Sequence, residues 1–444
     1  MQNKKSPSVL GLVFLTVFID LIGFSIIFPI FPQLLEHYVQ LEGADSLIGK
    51  LQSFLVELTG SREGADFAVV TLFGGILGSI YSLLQFLFAP FWGHISDRNG
   101  RRSALMLTLA GTAISYVLWF FSGSFMILVG ARILGGIMAG NISIASAAVS
   151  DTTSGADRAK GMGIVGMAIG LGFVVGPAIG GLSASWNVLE VWPEGEQYGV
   201  NPFSGPALIA FCLAALNCLW AIRKFPETLP PERRGVNPHT RTLMPFRALR
   251  DMKYPGVRRT NFISFLYLAA FSGMEFTLTF LAAERFDFGP HDNMWMFVFV
   301  GLMIALVQGG IVRRLVPRVG ERKVASYGLA ALVPGFCLVG FAPNVAILYL
   351  GLGFMATGSA LAMPCFSALV SRYSPDQVQG LVMGSFRSVG ALARAVGPLF
   401  GGVLYWLLGS QAPYAAGALV ILVPLFMTLK LPDVPESEPG AQAA

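Results

Sequence analysis

Gly93-His94-Ile95-Ser96-Asp97-Arg98-Asn99-Gly100-Arg101-Arg102 is a short polar interruption between two long apolar runs. Apolar sequence leads up to it from about Phe67 and away from it to about Ser122, and each side is long enough to cross a bilayer. A soluble surface has no use for three arginines, an aspartate and two glycines wedged between such segments. Basic residues resist translocation, so a membrane protein keeps a stretch like this as a tight cytoplasmic turn.

The rest of the chain has the same character. Of 444 residues, 54% are hydrophobic and only 12% charged, and the mean hydropathy of +0.65 lies outside the range of soluble domains. A helix spans the ~30 Å hydrocarbon layer with roughly 20 apolar residues. Twelve stretches qualify: 8–33, 68–92, 103–122, 125–149, 161–184, 205–224, 260–283, 293–312, 324–342, 345–370, 378–408 and 412–430. Membrane β-barrels are excluded, because their strands alternate apolar and polar residues. The expected fold class is an all-α polytopic membrane protein. Cys212, Cys218, Cys337 and Cys365 fall inside the spans without zinc or redox spacing and read as small buried hydrophobes. Lys4-Lys5 followed by apolar residues imitates a secretory signal. The run is too long, however, and contains Asp20, so it reads as a retained first helix.

Charge placement sets the orientation. With the N-terminus cytoplasmic, only Lys50, Arg62 and Arg285 of the 30 Lys and Arg fall in outside loops, and only Arg132, Arg387 and Arg394 fall within spans. The outside loops carry twelve acids instead. Both termini are therefore expected inside, and the net charge of +5 reports topology rather than a nucleic-acid partner.

The first helix carries Asp20 in mid-membrane, at a cost of roughly 2.5–3.5 kcal/mol on insertion scales unless it faces water or a partner. It reads either as a functional carboxylate or as a hydrogen-bonding residue facing another helix. Pro29 and Pro32 are expected to end this helix, leaving a long outside loop over 34–67. Within that loop Leu47, Ile48, Leu51, Phe54, Leu55 and Leu58 recur at helical spacing, predicting an amphipathic helix at about 45–58 on the outer membrane face. The third helix carries Thr112, Ser115 and Tyr116, and the fourth carries Arg132 beside Gly135-Gly136. The fifth matches G-x-G-x-x-G at Gly161–Gly166, but no strand precedes it, so it is no nucleotide site. Its glycines Gly166, Gly170, Gly172, Gly176, Gly180 and Gly181, with Pro177, predict close helix contact and a bend.

Residues 225–259, with six prolines and no long apolar run, read as a cytoplasmic linker. Leu243, Phe246, Leu249 and Met252 could form a short surface helix there. The linker divides a half at 1–224 from one at 260–430, with a cytoplasmic tail at 431–444. The halves repeat. A shift of 221 places Gly130 on Gly351, Ser146 on Ser367, Gly163 on Gly384, Gly176-Pro177 on Gly397-Pro398 and Gly180-Gly181 on Gly401-Gly402. Parallel six-helix repeats are a transporter architecture, with a site near the midplane between them. Where the fifth helix has Gly166 and Phe173, the eleventh has Arg387 and Arg394, and the seventh adds Glu275. These charges read as an internal Glu–Arg pair, as a binding or proton site, or as both. The second half retains Arg313, Arg314 and Arg318 at the loop equivalent to Gly93–Arg102 but no matching aspartate, so a charge latch is expected on one side only.

Gly93–Arg102 resembles the loop signature of the major facilitator superfamily, G-x-x-x-D-R-x-G-R-R. The fifth helix and Arg132 with Gly135-Gly136 resemble motifs of its drug–proton antiporter branch, and Asp20–Pro29 is similar to the first helix of the bacterial tetracycline-efflux group. Leu84–Pro90, Phe271–Phe280 and Arg387–Arg394 resemble the animal tetracycline-transporter-like group, which implies organic anions as substrates. The resemblance implies a cytoplasmic latch in which Gly93, Asp97, Arg98, Gly100, Arg101 and Arg102 act with Asp151, Asp97 also facing the start of helix 11. It implies a proton-relay role for Arg132 and a cavity carboxylate at Asp20. Gln85, Ser115 and Tyr116 are the candidates for substrate contact. Tetracycline exporters are expected to carry an acid in helix 3, a histidine in helix 8 and an acid in helix 9. This chain has Ser115 in the first place and neither of the others.

The expectation is a proton-coupled exporter of a small amphiphilic molecule, with Asp20 or Glu275 carrying the proton and Arg132, Arg387 and Arg394 in the cavity. The alternative is a symporter or facilitator of a small organic anion. A non-transporting receptor on the same fold is a further alternative, and no nucleophile–base constellation suggests an enzyme. No cofactor beyond the coupling proton, no metal and no nucleic acid is expected. The expected partners are a small molecule and the lipid bilayer, with the chain monomeric in the plasma (inner) membrane or an organelle membrane.

Overall fold

The computed structural model describes residues 9–58, 64–153, 155–234, 254–374 and 379–432. Among them, twelve helices are long and apolar enough to cross a membrane: Val9–Glu42, Asp66–Asn99, Arg101–Phe120, Phe125–Thr152, Gly161–Ser183, Ser204–Lys224, Pro255–Phe286, Pro290–Val319, Glu321–Gly340, Val345–Arg372, Val382–Leu408 and Ala412–Leu429. They are the first to twelfth spans below. The surface helix considered around Leu243–Met252 and the tail beyond Pro432 lie outside the described residues.

The first span corrects the expectation that Pro29 and Pro32 end it. Helix Val9–Ser25 passes through a 3-10 turn at Phe28–Ile30 into helix Phe31–Glu42. Each proline sits in the first turn of a new segment, where its missing N–H would have had no partner. The connection to the second span is correspondingly shorter and holds helix Leu47–Leu58, whose start is capped by Ser46 Oγ accepting from Gly49 N at 3.0 Å. Leu47, Leu51, Phe54 and Leu58 are exposed along one face of it.

The polar stretch at Gly93–Arg102 is mostly not a loop. The second helix runs through Asn99, and the third begins at Arg101. Gly100 alone makes the turn, at φ +98°, a conformation glycine adopts without a Cβ clash. Its N–H closes the second helix on Ser96 O at 3.1 Å and its C=O opens the third at 3.4 Å from Ala104 N. The second half repeats this turn at Gly320, φ +82°, with N–H to Val316 O at 2.9 Å and C=O from Val324 N at 3.2 Å. Ser124 and Asn344 likewise cap the fourth and tenth spans, accepting from Ile127 N and Ile347 N at 3.4 and 3.0 Å.

Glycines decide how the spans pack. A Cβ on Gly176 would lie 2.7 Å from Ile22 O, and one on Gly172 would lie 3.2 Å from Phe18 O, so the fifth span lies backbone-close on the first, with Gly180 against Ile26 O. In the second half Gly397 and Gly401 pack the eleventh span on the seventh, 2.8 Å from Gly273 N and 2.9 Å from Gly273 O. The next glycine of each pair joins the halves. Gly181 meets Pro290 O of the eighth span at 2.7 Å, and Gly402 meets Thr71 O of the second at 3.4 Å. Gly166 and Gly170, expected in the same contact, have nothing within 4 Å, because they lie on a different face of the helix. Cys212 and Cys337 are exposed, whereas Cys365 is buried. The outside of such a bundle faces lipid, so an exposed thiol there is still in an apolar setting.

At the end opposite Gly93–Arg102 the halves also meet through Gln33 Nε2, donating to Phe288 O at 3.1 Å, and Asn293 Nδ2, donating to Pro29 O at 3.0 Å. Gly176→Leu is expected to destabilise the protein by about 1–3 kcal/mol through overpacking, with Gly166→Leu close to neutral. Thermal unfolding in detergent checks both, and equal losses would contradict this packing.

Candidate functional site

Between the halves lies a narrow cavity with about 40 Å³ open to water-sized molecules. That suffices for a few waters and is far below the roughly 300 Å³ or more of a site for a drug-sized ligand. Phe24, Phe28, Phe31, Ser82, Arg132 and Phe173 line it from the first half, and Ser272, Glu275, Phe276, Thr279 and Arg394 from the second. The aromatic wall was not singled out in the sequence, although Phe24, Phe28 and Phe31 stand at the four- and three-residue steps of one helix stripe. Phe24 meets Phe28 edge-on at 5.4 Å, and Phe31 meets Phe276 across the two halves at 5.9 Å.

Arg132 is 5% exposed. Its guanidinium carbon lies 4.4 Å from the Tyr81 ring centroid and 5.6 Å from that of Phe24, and Nε has no hydrogen-bond acceptor. The faces of two rings therefore stand in for an anion, a cation–π arrangement that strengthens on desolvation. Gly135 and Gly136 allow it: a Cβ on either would meet Tyr81, at 3.1 Å from its ring or 2.7 Å from its carbonyl oxygen. Glu275 and Arg394 share the cavity but form no ion pair among the described residues. The internal Glu–Arg pair is thus present as neighbours rather than as a contact.

Other candidates stand elsewhere. Arg387 does not line the cavity. Its guanidinium donates to Ser146 Oγ of the fourth span and lies 3.5 Å from Met162 Sδ of the fifth, joining the halves nearer the Gly93–Arg102 end. Asp20 is also outside the lining and accepts from Asn141 Nδ2 at 2.7 Å. Tyr81 lies under Arg132, and Tyr116 packs on Gly23, one helical turn from Asp20. None of the three substrate-contact candidates lines the cavity. Ser115 Oγ donates to Thr112 O at 2.7 Å within its own helix, Tyr116 packs on Gly23, and Gln85 is half-buried without a place in the lining. The third span packs on the sixth, the fourth and the second.

A second cluster surrounds Gly100. Arg101, its side chain 5% exposed, donates from Nε to Asp151 Oδ2 at 2.7 Å, and from Nη1 to Asp97 Oδ1 at 2.5 Å and Ser96 Oγ at 3.0 Å. Arg102 Nη2 donates to Ile222 O at 2.6 Å, while Arg98 is exposed and Gly93 is buried. Glu227, unnoticed in the sequence, accepts from the backbone N–H of Arg101 at 2.9 Å and of Arg102 at 3.3 Å. A carboxylate there caps the third helix and faces the positive end of its dipole. Only folding brings it there, from 126 residues away. The start of the eleventh helix, which Asp97 was expected to face, adjoins residues 375–378 outside the described set.

The cluster is not one-sided. Glu321 follows Gly320 as Arg101 follows Gly100, and Arg372 ends the tenth span as Asp151 nears the end of the fourth. Arg372 Nη1 lies 2.6 Å from Glu321 Oε2. The second half keeps the pair and reverses its charges, which a search for a matching aspartate could not find.

The family model described as "Major Facilitator Superfamily" matches residues 13–319 and 310–444. The chain is 36% identical to the human "Major facilitator superfamily domain-containing protein 10", covering 97% of this chain and 94% of that one. It is 28% identical to the "Tetracycline resistance protein, class C" of Escherichia coli, covering 90% of each. The crystal structure of the human organic anion transporter MFSD10 (TETRAN) superposes with a TM-score of 0.76 at 35% identity, covering 95% of this chain and 100% of that one.

Asp151→Ala is expected to cost about 2 kcal/mol or more, because it strips a partner from a buried guanidinium. Arg372→Ala, whose side chain is 51% exposed, is expected to cost under about 1 kcal/mol. Denaturation in detergent measures both, and a larger loss at Arg372 would overturn the ranking.

Proposed function

The chain belongs to the Major Facilitator Superfamily and is a transporter; on that premise we propose that it couples protons to the movement of small amphiphilic organic anions by alternating access. The observation that carries this is the cavity, in which Arg132 and Arg394 face the space between the halves with no ion pair, among phenylalanines from both. Two cations within an aromatic wall suit a flat apolar body bearing one negative charge. The name of the human relative, an organic anion transporter, agrees with that reading.

The sign of the coupling follows from the charges. An ionised Glu275 offsets Arg394 and repels an incoming anion. A protonated Glu275 leaves both arginines available. Proton and anion therefore load together, and loss of the proton to the other side promotes release of the anion. Asp20 is the second proton site, hydrogen-bonded to Asn141 and one helical turn from Gly23, where Tyr116 packs. The cavity as it stands is too small for such a substrate, so loading requires one end to part. Gln33, Asn293 and Gly402 hold one end, and Arg387 on Ser146 contributes at the other.

With the arginine-rich end in the cytoplasm, as its charge predicts, an acidic exterior would drive uptake. The exchange reading, expulsion of an amphiphile against protons, is favoured by the likeness to a tetracycline resistance protein. It suits a cation that competes with the proton for Glu275. For an anionic substrate the two differ in electrical work, whereas exchange of a proton for a monovalent cation moves no net charge. Co-transport of a proton with a monovalent anion moves no net charge. Exchange of a proton for that anion moves two charges, about 4.6 kcal/mol per 100 mV.

In proteoliposomes, 2-naphthoate is expected to accumulate under an inward proton gradient, with a rate insensitive to an imposed potassium–valinomycin potential. Glu275→Gln should lose the response to the gradient yet retain counterflow, and Arg394→Ala should raise KM about tenfold or more. Gradient-driven expulsion of 2-naphthoate, or equal transport of 2-naphthyltrimethylammonium, would refute this reading.

A further inference from the structure

The fourth span is broken where the tenth is not. Helix Phe125–Met138 stops, and helix Asn141–Thr152 begins after Ala139, whose ψ of 43° leaves the helical region. The equivalent tenth span runs unbroken over Val345–Arg372. The break is built in: Trp92 Nε1 donates to Ile137 O at 2.6 Å, and the indole packs where a Cβ on Gly140 would stand. An interruption at membrane depth exposes backbone groups that need partners, and the tenth span does without one.

Asn141 opens the new segment and is 1% exposed. Its Nδ2 donates to Asp20 Oδ1 at 2.7 Å, while its own Oδ1 has no donor. Asn217, Asn261 and Asn293 also leave Oδ1 without a donor, but each of them donates to a backbone carbonyl, whereas Asn141 donates to a titratable group. An unpartnered buried oxygen is costly. Here it has a use in the other protonation state of its neighbour. A carboxamide donates through NH2 to a carboxylate and, turned about its terminal bond, accepts through C=O from a carboxylic acid. The same twelve-residue helix carries Ser146, which accepts from Arg387 of the other half, and Asp151, which accepts from Arg101.

We propose that Asn141 is a positioning residue that reads the proton on Asp20, and that helix Asn141–Thr152 carries that reading to the contact between the halves at Ser146 and to Arg101 at Asp151. The proposal rests on the assignment of Asp20 as a proton site. The turn of the amide changes what holds the start of the segment. A rigid helix about 18 Å long then shifts both of its other contacts together. The groups facing Asp20 are consistent with this. The second and third spans present Tyr81 and Tyr116, and the fourth presents Arg132 beyond them. The fifth packs on the first through Gly172, Gly176 and Gly180, and the sixth reaches it through Asn217 Nδ2, which donates to Thr16 O. Among the described residues Asn141 is the one side chain that hydrogen-bonds to the Asp20 carboxyl.

The test uses the full chain in nanodiscs with its four cysteines replaced by alanine and spin labels at Ser103 and Lys323, both exposed near the Gly93–Arg102 end of opposite halves. Inter-label distances are measured by pulsed electron resonance over a pH series without substrate. The unaltered background is expected to show a pH-dependent change in distance, and Asp20→Asn a single distribution at every pH. Asn141→Ala is expected to lose the change or move its midpoint by about one pH unit or more. Asn141→Asp, which is isosteric, covers the case in which the alanine variant does not fold, and its midpoint should move as well. Either Asn141 variant with the unaltered midpoint and amplitude overturns the proposal, including when only its thermal stability has fallen. A pH response that survives in Asp20→Asn overturns the assignment of Asp20 itself, and no pH response in the background overturns both.

Discussion

Charge at membrane depth without a counter-ion is the constraint on which this structure turns. Asp20, Arg132, Glu275 and Arg394 lie inside membrane-spanning helices, and none of them has an ion pair among the described residues. Each such charge costs roughly 2.5–3.5 kcal/mol on insertion scales, so each is held by something weaker than a counter-ion. Arg132 has the faces of Tyr81 and Phe24, Asp20 has the amide of Asn141, and Glu275 and Arg394 share a cavity without touching. A protein that only needed stability would pair these groups or replace them with leucine. Left unpaired, they are free to take the roles proposed for them above.

The surrounding packing is symmetrical where it is structural and asymmetrical where the charges act. Gly176, Gly180 and Gly181 and their counterparts Gly397, Gly401 and Gly402 make the same two kinds of contact, one within a half and one between halves. The turns at Gly100 and Gly320 match, and so do the ion pairs beside them, with their signs exchanged. Against that repeat, the first half has a broken fourth span and the second half has two arginines in its eleventh. The differences fall on the helices that touch the cavity or the contact between the halves.

The spans, the repeat and the glycine contacts were legible in the sequence because each rests on local composition or spacing. Twenty apolar residues in a row need no partner to be read, and a constant offset of 221 is visible without coordinates. Other features depended on partners far along the chain. Glu227 lies in what reads as linker, and only folding places it on the third helix. Pro29 and Pro32 suggested a stop, yet the chain restarts its helix at each. The reversed pair of Glu321 and Arg372 was missed because the repeat preserves the position of a charge pair rather than its residue types. Ser115 and Tyr116 were singled out as polar residues within a span, and neither lines this cavity, because sequence depth does not say which face of a helix meets it. The phenylalanine stripe reads like any apolar face, and its role appears only with Phe276 opposite.

The proposed function is that of a transporter whose central cavity changes its affinity for an anion with its own protonation. The most direct measurement is the proton exchange that accompanies binding of 2-naphthoate to the purified protein in weakly buffered detergent solution. The account predicts net uptake of protons, up to about one per anion bound, reduced or abolished in Glu275→Gln. Release of protons on binding, or binding with no proton exchange at any pH, would contradict it.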